Sequence, residues 1–298
     1  MRRWAHRTHL AGFLACIAAA CGTGNRALPS GGITVTDDAG RAVTLARPAR
    51  RIVSLLPSFT ELLFAMGAGD RLVGRTAWCD YPPAALAVPN VGDGMPPNIE
   101  AVAARRPDLV VLYRSAQNAP AASQLERLDI HVVVLDLNQL TDLGRVARIL
   151  GRLTGRERSA DSLGQAMDSV ASQPPAPSTY SLAFIVWDNP PIVIGAGSYL
   201  DRLAALAGAR NVFHDIGSPS AQVSIETIAA RDPDFVAVLS DSATQPSFAA
   251  RPEWRVVRAV RRGHFLLLPG QLFGRPSPRV AQAIRELRNR LNGEGGAP

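Results

Sequence analysis

Asn98-Ile99-Glu100-Ala101-Val102-Ala103-Ala104-Arg105-Arg106-Pro107-Asp108-Leu109-Val110 returns further along the chain as Ser224-Ile225-Glu226-Thr227-Ile228-Ala229-Ala230-Arg231-Asp232-Pro233-Asp234-Phe235-Val236. Each copy reads as an N-cap residue, a short helix with an acid in its first turn, a proline that stops the helix, and a strand. One α/β unit repeated in each half predicts two lobes built on one plan. An earlier pair fits the same scheme. Ser58-Phe59-Thr60-Glu61 opens a helix ending near Met66-Gly67, and Ser198-Tyr199-Leu200-Asp201 opens one ending near Ala207-Gly208. Both carry the Ser-x-x-acid spacing of a capping box, so Glu61 and Asp201 are expected to be capping acids.

Outward from these repeats, alternating residues on either side of Asp37-Asp38-Ala39-Gly40 predict a hairpin (Ile33 to Thr36, Arg41 to Leu45). Short apolar runs then alternate with helical stretches: Ile52 to Leu56, Leu109 to Tyr113, Val132 to Leu135, Leu182 to Trp187, Phe235 to Leu239 and Phe265 to Leu268. This alternation indicates βαβ units with parallel sheets buried on both faces. The middle differs. Leu143, Val146, Leu150, Leu153, Leu163, Met167 and Val170 recur at helical spacing with no strand between them, and Pro174-Pro175 ends the stretch. The fold class expected is therefore α/β: two similar lobes with parallel sheets, an N-terminal lobe over 33–139 and a C-terminal lobe over 173–298. One long helix over 140–172 joins them, and a ligand cleft lies between them. Arg251 to Arg262 reads as an amphipathic helix burying Trp254, Val257 and Val260. A last helix, capped by Ser277, buries Val280, Ile284, Leu287 and Leu291.

The chain begins with an address. Arg2, Arg3 and Arg7 precede an apolar run from Leu10 to Ala20, the pattern of a secretory signal over 1–20. That run is shorter than the ~20 residues a membrane span requires. Cys21 after Ala18-Ala19-Ala20 resembles a bacterial lipobox, which implies a lipidated Cys21 followed by a flexible tether over 21–32. With Cys16 removed and Cys21 taken by lipid, Cys79 is alone and the exported domain holds no internal disulfide. The chain has 298 residues, 47% of them hydrophobic, a formal charge of +7 and no lysine. Once the signal's three arginines leave, the excess of basic residues is too small for a nucleic-acid footprint.

At these residues the chain resembles the substrate-binding lipoproteins of ABC importers whose lobes are joined by a rigid helix, the receptors for cobalamin, haem and ferric siderophores. It is most similar to the cobalamin-binding branch. The likeness runs from about Arg51 to Leu291 and rests on ordered motifs: Arg51-Ile52-Val53-Ser54-Leu55-Leu56-Pro57-Ser58-Phe59-Thr60-Glu61, Asp80-Tyr81-Pro82-Pro83, Asn98-Ile99-Glu100, Asn189-Pro190-Pro191, Gln222-Val223-Ser224-Ile225-Glu226 and Arg275-Pro276-Ser277-Pro278-Arg279. The resemblance implies a monomeric, non-enzymatic receptor, lipid-anchored on the periplasmic or extracytoplasmic face of the membrane. It would deliver cobalamin or a related corrinoid to an ABC permease dimer with its ATPase, with haem or a ferric siderophore as the alternative ligand. It implies no resident cofactor, no metal site and no catalytic residue.

The same resemblance assigns roles. Glu100 and Glu226 match glutamates that dock on permease arginines; an acid in a first turn is also favoured by the helix dipole alone. Trp78 and Tyr113 fall on ligand-contacting aromatic positions, and Trp187 lies within a residue of a third. Phe273 and Arg275 sit in the loop where the family places a polar contact. For Trp187 and Phe273 a place in the core is the competing reading. The chain departs from the branch at Asp93-Gly94-Met95, where a tryptophan is expected, at Ser220-Ala221, where an aromatic is expected, and at Gln271, where an aspartate is expected.

Other chemistries are weaker. His131, His214 and His264 show no metal-ligand spacing. No Gly-x-Ser-x-Gly elbow occurs, and without lysine there is no phosphate loop. A corrinoid- or haem-modifying lipoprotein using Cys79, and a tethered scaffold that binds no small molecule, are the readings from other classes.

Overall fold

The alternating residues at the start close into a hairpin, β1 (Ile33–Thr36) and β2 (Ala42–Leu45), paired antiparallel. The structure is a computed structural model that describes residues 32–240 and 245–295. The expected signal, the lipidated Cys21 and all of the tether but Gly32 lie outside the described residues.

The first lobe then runs β3 (Ile52–Ser54), α1 (Pro57–Ala65), β4 (Leu72–Arg75), α2 (Ile99–Ala103), β5 (Leu109–Tyr113), α3 (Ala119–Glu126) and β6 (His131–Leu135). Its strands pair in parallel in the order β4-β3-β5-β6. The apolar runs make this possible, because a strand covered on both faces has no polar side to offer.

Between the lobes the chain corrects one expectation. In place of a single helix over 140–172 there are two, α4 (Asp142–Thr154) and α5 (Glu157–Ala171). Gly155 ends α4 in the left-handed conformation at φ +61°, a C-cap that turns the chain back. The two helices then pack antiparallel and close. A Cβ on Gly151 would overlap that of Ala160, and Arg148 donates to Asp168 at 2.6 Å. The helical spacing was correct; the glycines convert its length into a hairpin.

The second lobe contains β7 (Tyr180–Asp188), β8 (Pro191–Ile194), α6 (Tyr199–Ala207), β9 (Ala209–Asn211), β10 (Ser220–Gln222), α7 (Ile225–Arg231), β11 (Phe235–Leu239), α8 (Arg258–Arg262), β12 (Phe265–Leu268), α9 (Gly270–Phe273) and α10 (Val280–Gly295). Its parallel strands β9-β7-β11-β12 repeat the order of the first lobe. β7 is long enough to serve two neighbours. Tyr180 to Leu182 pair with β9, and Ile185 to Asp188 pair antiparallel with β8, which in turn carries β10. The second sheet is therefore mixed, not purely parallel as expected.

The repeat is visible in atomic detail. Asn98 Oδ1 accepts from Ala101 N at 2.9 Å, and Ser224 Oγ accepts from Thr227 N at 3.1 Å, each capping its helix. The matching residues Arg106 and Asp232 both take a positive φ, 47° and 45°. Asp108 and Asp234 then each accept a backbone N–H at the edge of the neighbouring strand, from Arg51 and Ser181, both at 2.9 Å.

The main apolar core is shared between the lobes. Val111 and Leu135 of the first sheet, Leu143 and Leu150 of α4, Phe184 of β7 and Leu287 of α10 belong to one buried cluster. Each such side chain contributes about 1.5–3 kcal/mol when buried, so separating the lobes would expose much of the molecule's stability to water. Val280, Ile284, Leu287 and Leu291 form the buried stripe of α10 as expected. Residues 251–262 differ from the expected helix. Pro252 opens a short 3₁₀ turn through Val256 before α8 begins, although Trp254, Val257 and Val260 are all buried as the spacing required.

Candidate ligand cleft between the lobes

The loops that follow β3 and β4 meet the loop after α9 around a cavity of about 510 Å³. Leu55, Leu56, Pro57, Trp78, Asp93 and Met95 come from the first lobe, and Gly274 and Arg275 from the second. Trp78 is 64% exposed and Met95 is also exposed, so two large apolar side chains face solvent at the rim of an open cavity. The loop that carries Met95 is held tightly. Gly94 has φ +84°, and a Cβ there would lie 2.5 Å from Thr76 Cγ2 and 3.0 Å from Leu55 O. Only glycine lets Asp93 and Met95 sit so close to the end of β3.

Arg275 reaches across from the second lobe and is fully engaged. Its Nε donates to Glu61 Oε1 at 3.0 Å, Nη2 to Asp80 Oδ1 at 2.6 Å, and Nη1 to the Trp78 carbonyl at 3.3 Å. Arg279 donates to both Glu61 oxygens at 2.8 Å, and its guanidinium stacks 3.8 Å from the centre of the Tyr81 ring. Partial burial would raise the pKa of Asp80, but hydrogen bonds from Arg275 and Gln271 outweigh it and hold the carboxyl below its usual range.

This cluster corrects the role expected for Glu61. The helix α1 starts at Pro57 with Leu56 as its cap residue, so Ser58 lies inside the helix and no capping box forms. Glu61 is instead 2% exposed and binds two arginines of the other lobe. In the matching helix α6, Ser198 does cap, accepting from Leu200 N. Asp201, also buried, accepts from Asn211 Nδ2 and from His214 Nδ1, each at 2.9 Å.

The other candidate ligand contacts scatter. Tyr113 lines a separate cavity of about 230 Å³ with Arg114 and Asn118, and its hydroxyl donates to Asn138 Oδ1 at 2.6 Å. Burial, then the Asp136 carboxylate, push its pKa up. Trp187 is 59% exposed, which removes the core reading for it, and lines a cavity of about 300 Å³ with Val186 and Phe248. Phe273 is fully buried in the shared core and has no face to offer a ligand; its carbonyl takes the Tyr199 hydroxyl. The cleft thus gathers Trp78 and Arg275, leaves Tyr113 and Trp187 at separate cavities, and excludes Phe273.

Glu100 and Glu226 are both exposed in the first turns of α2 and α7. Hydrogen bonds from its own backbone and from Ser224 lower the pKa of Glu226. Cys79 is fully buried between the hydroxyls of Thr60 and Thr76, each 3.1 Å from its sulfur. The thiol has no access to a bound molecule, which corrects the reading of Cys79 as a modifying nucleophile. Among the described residues no cluster of His, Cys, Asp and Glu suits a metal ion, and no helix is long and apolar enough to cross a membrane.

Sequence reasoning missed the interlobe role of Glu61 and Asp80 and the cleft position of Asp93 and Met95. Charge alone gave no signal, because Arg71 and Arg75 lie nearer in sequence to Glu61 and Asp80 than Arg275 and Arg279 do.

Two equivalent α/β lobes that share a core through a helical bridge and leave an open, aromatic-edged cleft between them define a solute-binding protein. The sequence profile of the periplasmic binding protein family matches residues 52–272, and the chain belongs to that family. It is similar to the uncharacterized ABC transporter substrate-binding lipoprotein YvrC of Bacillus subtilis, 28% identical over 266 residues that cover 86% of this chain and 84% of YvrC. A vitamin B12-binding protein of Vibrio cholerae is 25% identical over 244 residues, covering 80% of this chain and 88% of its own. The crystal structure of the periplasmic vitamin B12-binding protein BtuF of Vibrio cholerae superposes with a TM-score of 0.65 at 25% identity, over 84% of this chain and 99% of that one. The periplasmic haem-binding protein RhuT of Roseiflexus sp. RS-1 shares the fold at a TM-score of 0.71 and 21% identity, over 83% of this chain and 99% of RhuT. The chain is therefore a solute-binding receptor of the periplasmic binding protein family.

Proposed function

We propose that this receptor captures cobalamin or a related corrinoid and delivers it to an ABC permease. The observation that carries the reading is the relation to vitamin B12-binding proteins across most of both chains, combined with an interlobe cavity edged by Trp78 and Met95. A flat, largely apolar macrocycle with a polar rim is the guest such a cleft suits, with burial supplied by the aromatic edge and orientation by a few polar groups. Trp187 and Tyr113, at cavities beside strand ends, would contact the parts of a wide ligand that extend beyond the central cavity. Haem is the second reading, favoured by the fold shared with RhuT; a ferric siderophore is the third.

Delivery would use Glu100 and Glu226. Two exposed carboxylates on matching helices of two matching lobes present an approximately twofold pattern, which suits paired arginines on a dimeric permease. The N-terminal segment would export the chain, and Cys21 would anchor it by lipid, in keeping with the lipoprotein name of YvrC. The test is a titration of the full chain in detergent, following tryptophan fluorescence, with cyanocobalamin, haemin and a ferric hydroxamate. Quenching by cyanocobalamin at sub-micromolar concentration is the expected result. A response to haemin or the hydroxamate alone reassigns the ligand, and a flat response to all three overturns the assignment to metal chelates of this kind.

A further inference from the structure

The charges around the cleft are unevenly satisfied, and the imbalance bears on which chelates can enter. Arg275, the one cation among the residues lining the cavity, is held by Glu61, Asp80 and the Trp78 carbonyl. Arg279 behind it shares Glu61. Two guanidinium groups and two carboxylates cancel, so Arg275 brings no net charge to a ligand. At the cavities of Tyr113 and Trp187 the charges are likewise matched: Arg114 pairs with Asp136, and Asp188 with Arg251. Asp93 is the exception. It lines the cavity, is exposed, and makes no ion pair among the described residues. Gly94 holds the backbone of this loop against Thr76 and Leu55, which keeps Asp93 at the edge of the cavity.

From this we propose that the cleft discriminates by charge: it accepts neutral or cationic metal chelates whose rim offers hydrogen-bond donors, and it disfavours chelates with an anionic rim, with Asp93 as the residue that sets the preference. A carboxylate accepts from an amide N–H but repels a second carboxylate brought close to it. A rim of carboxamides fits this wall, and a rim of propionates or catecholates does not. The inference rests on the cleft being the ligand site, and it deepens the proposed function by giving the charge class of the guest.

Matched pairs that differ only in rim charge test it: cyanocobalamin against a monocarboxylic acid of cyanocobalamin, and haemin against haemin dimethyl ester. Each is titrated into the full chain in detergent. For whichever scaffold binds, the uncharged-rim member should bind more tightly, by on the order of five- to tenfold at low salt, with the gap shrinking as salt is added. Asp93→Asn should bring the two members of the pair close to equal, while Glu157→Gln, an exposed acid on α5, should leave the gap as it was. Equal or tighter binding of the acid member, or a gap that survives Asp93→Asn, overturns the proposal. If both cobalamins fail to bind while haemin dimethyl ester outcompetes haemin, the corrinoid reading falls and the charge preference stands. Binding of none of the four overturns both.

Discussion

The helices α1 and α6 occupy the same place in the two lobes, and so do α2 and α7, yet the two pairs have diverged to different degrees. In α2 and α7 the N-cap residue, the exposed glutamate and the following Pro-Asp clamp keep the same geometry. In α1 and α6 the acids share only their sequence position. Glu61 turns to the other lobe and binds two arginines, whereas Asp201 turns inward to Asn211 and His214 of its own lobe. A duplicated surface feature retained on both lobes suits a partner that is itself paired. A duplicated buried acid is free to be reused wherever the nearest cation lies.

Substitutions can break that comparison. The largest effect is expected at Glu61. Replacing it with alanine strands Arg275 and Arg279 without their shared carboxylate, at a cost of about 3–5 kcal/mol. Urea denaturation would register this as a lower unfolding free energy, and a loss within about 1 kcal/mol (about the cost of one ordinary hydrogen bond) would show that the arginines find other partners. Asp201→Ala loses a buried acceptor of two hydrogen bonds within one lobe, with an expected cost of about 1–3 kcal/mol. Equal losses at Glu61 and Asp201 would contradict the difference drawn between them.

Smaller effects sharpen the matched pair. Asn98→Ala and Ser224→Ala each remove a helix cap and should cost about 0.5–2 kcal/mol, by similar amounts. Asp234 adds a pH dependence. Its burial raises the pKa, but hydrogen bonds from Ser181 and the nearby Arg258 more than offset this, so the folded value lies below the unfolded one. Its contribution is therefore present at neutral pH and is lost as pH falls through the depressed value. Asp234→Asn should flatten the acid side of a plot of Tm against pH; an unchanged slope would remove the clamp from the account of stability. Smallest for stability, within about 0.5 kcal/mol, is the double charge reversal Glu100→Arg with Glu226→Arg. It should abolish uptake in cells while leaving ligand binding intact, and uptake that survives would end the docking assignment.

Much of the fold was legible because burial writes itself locally. The runs at Leu109 to Tyr113 and Phe235 to Leu239 became the strands β5 and β11, and the duplicated motif gave the two-lobe plan. The helical bridge reads as one element in the sequence because apolar spacing reports that residues are helical, not that the helix turns back at Gly155. The site was less legible. The motifs place Trp78, Phe273 and Arg275 in loops, but a motif does not say whether a side chain lines a cavity, as Trp78 and Arg275 do, or is buried, as Phe273 is. The interlobe cluster was invisible for a different reason: Glu61 and Arg279 lie at opposite ends of the chain, and Ser58 offered a local explanation that Pro57 forecloses by starting the helix one residue earlier.

The central claim is that the cavity between the lobes is where the ligand sits. A crystal structure of the full chain grown with cyanocobalamin tests it most directly. The corrin ring should lie against Trp78 and Met95 with its rim toward Asp93 and Arg275. Corrin density anywhere else on the molecule, with that cavity still open, would contradict it.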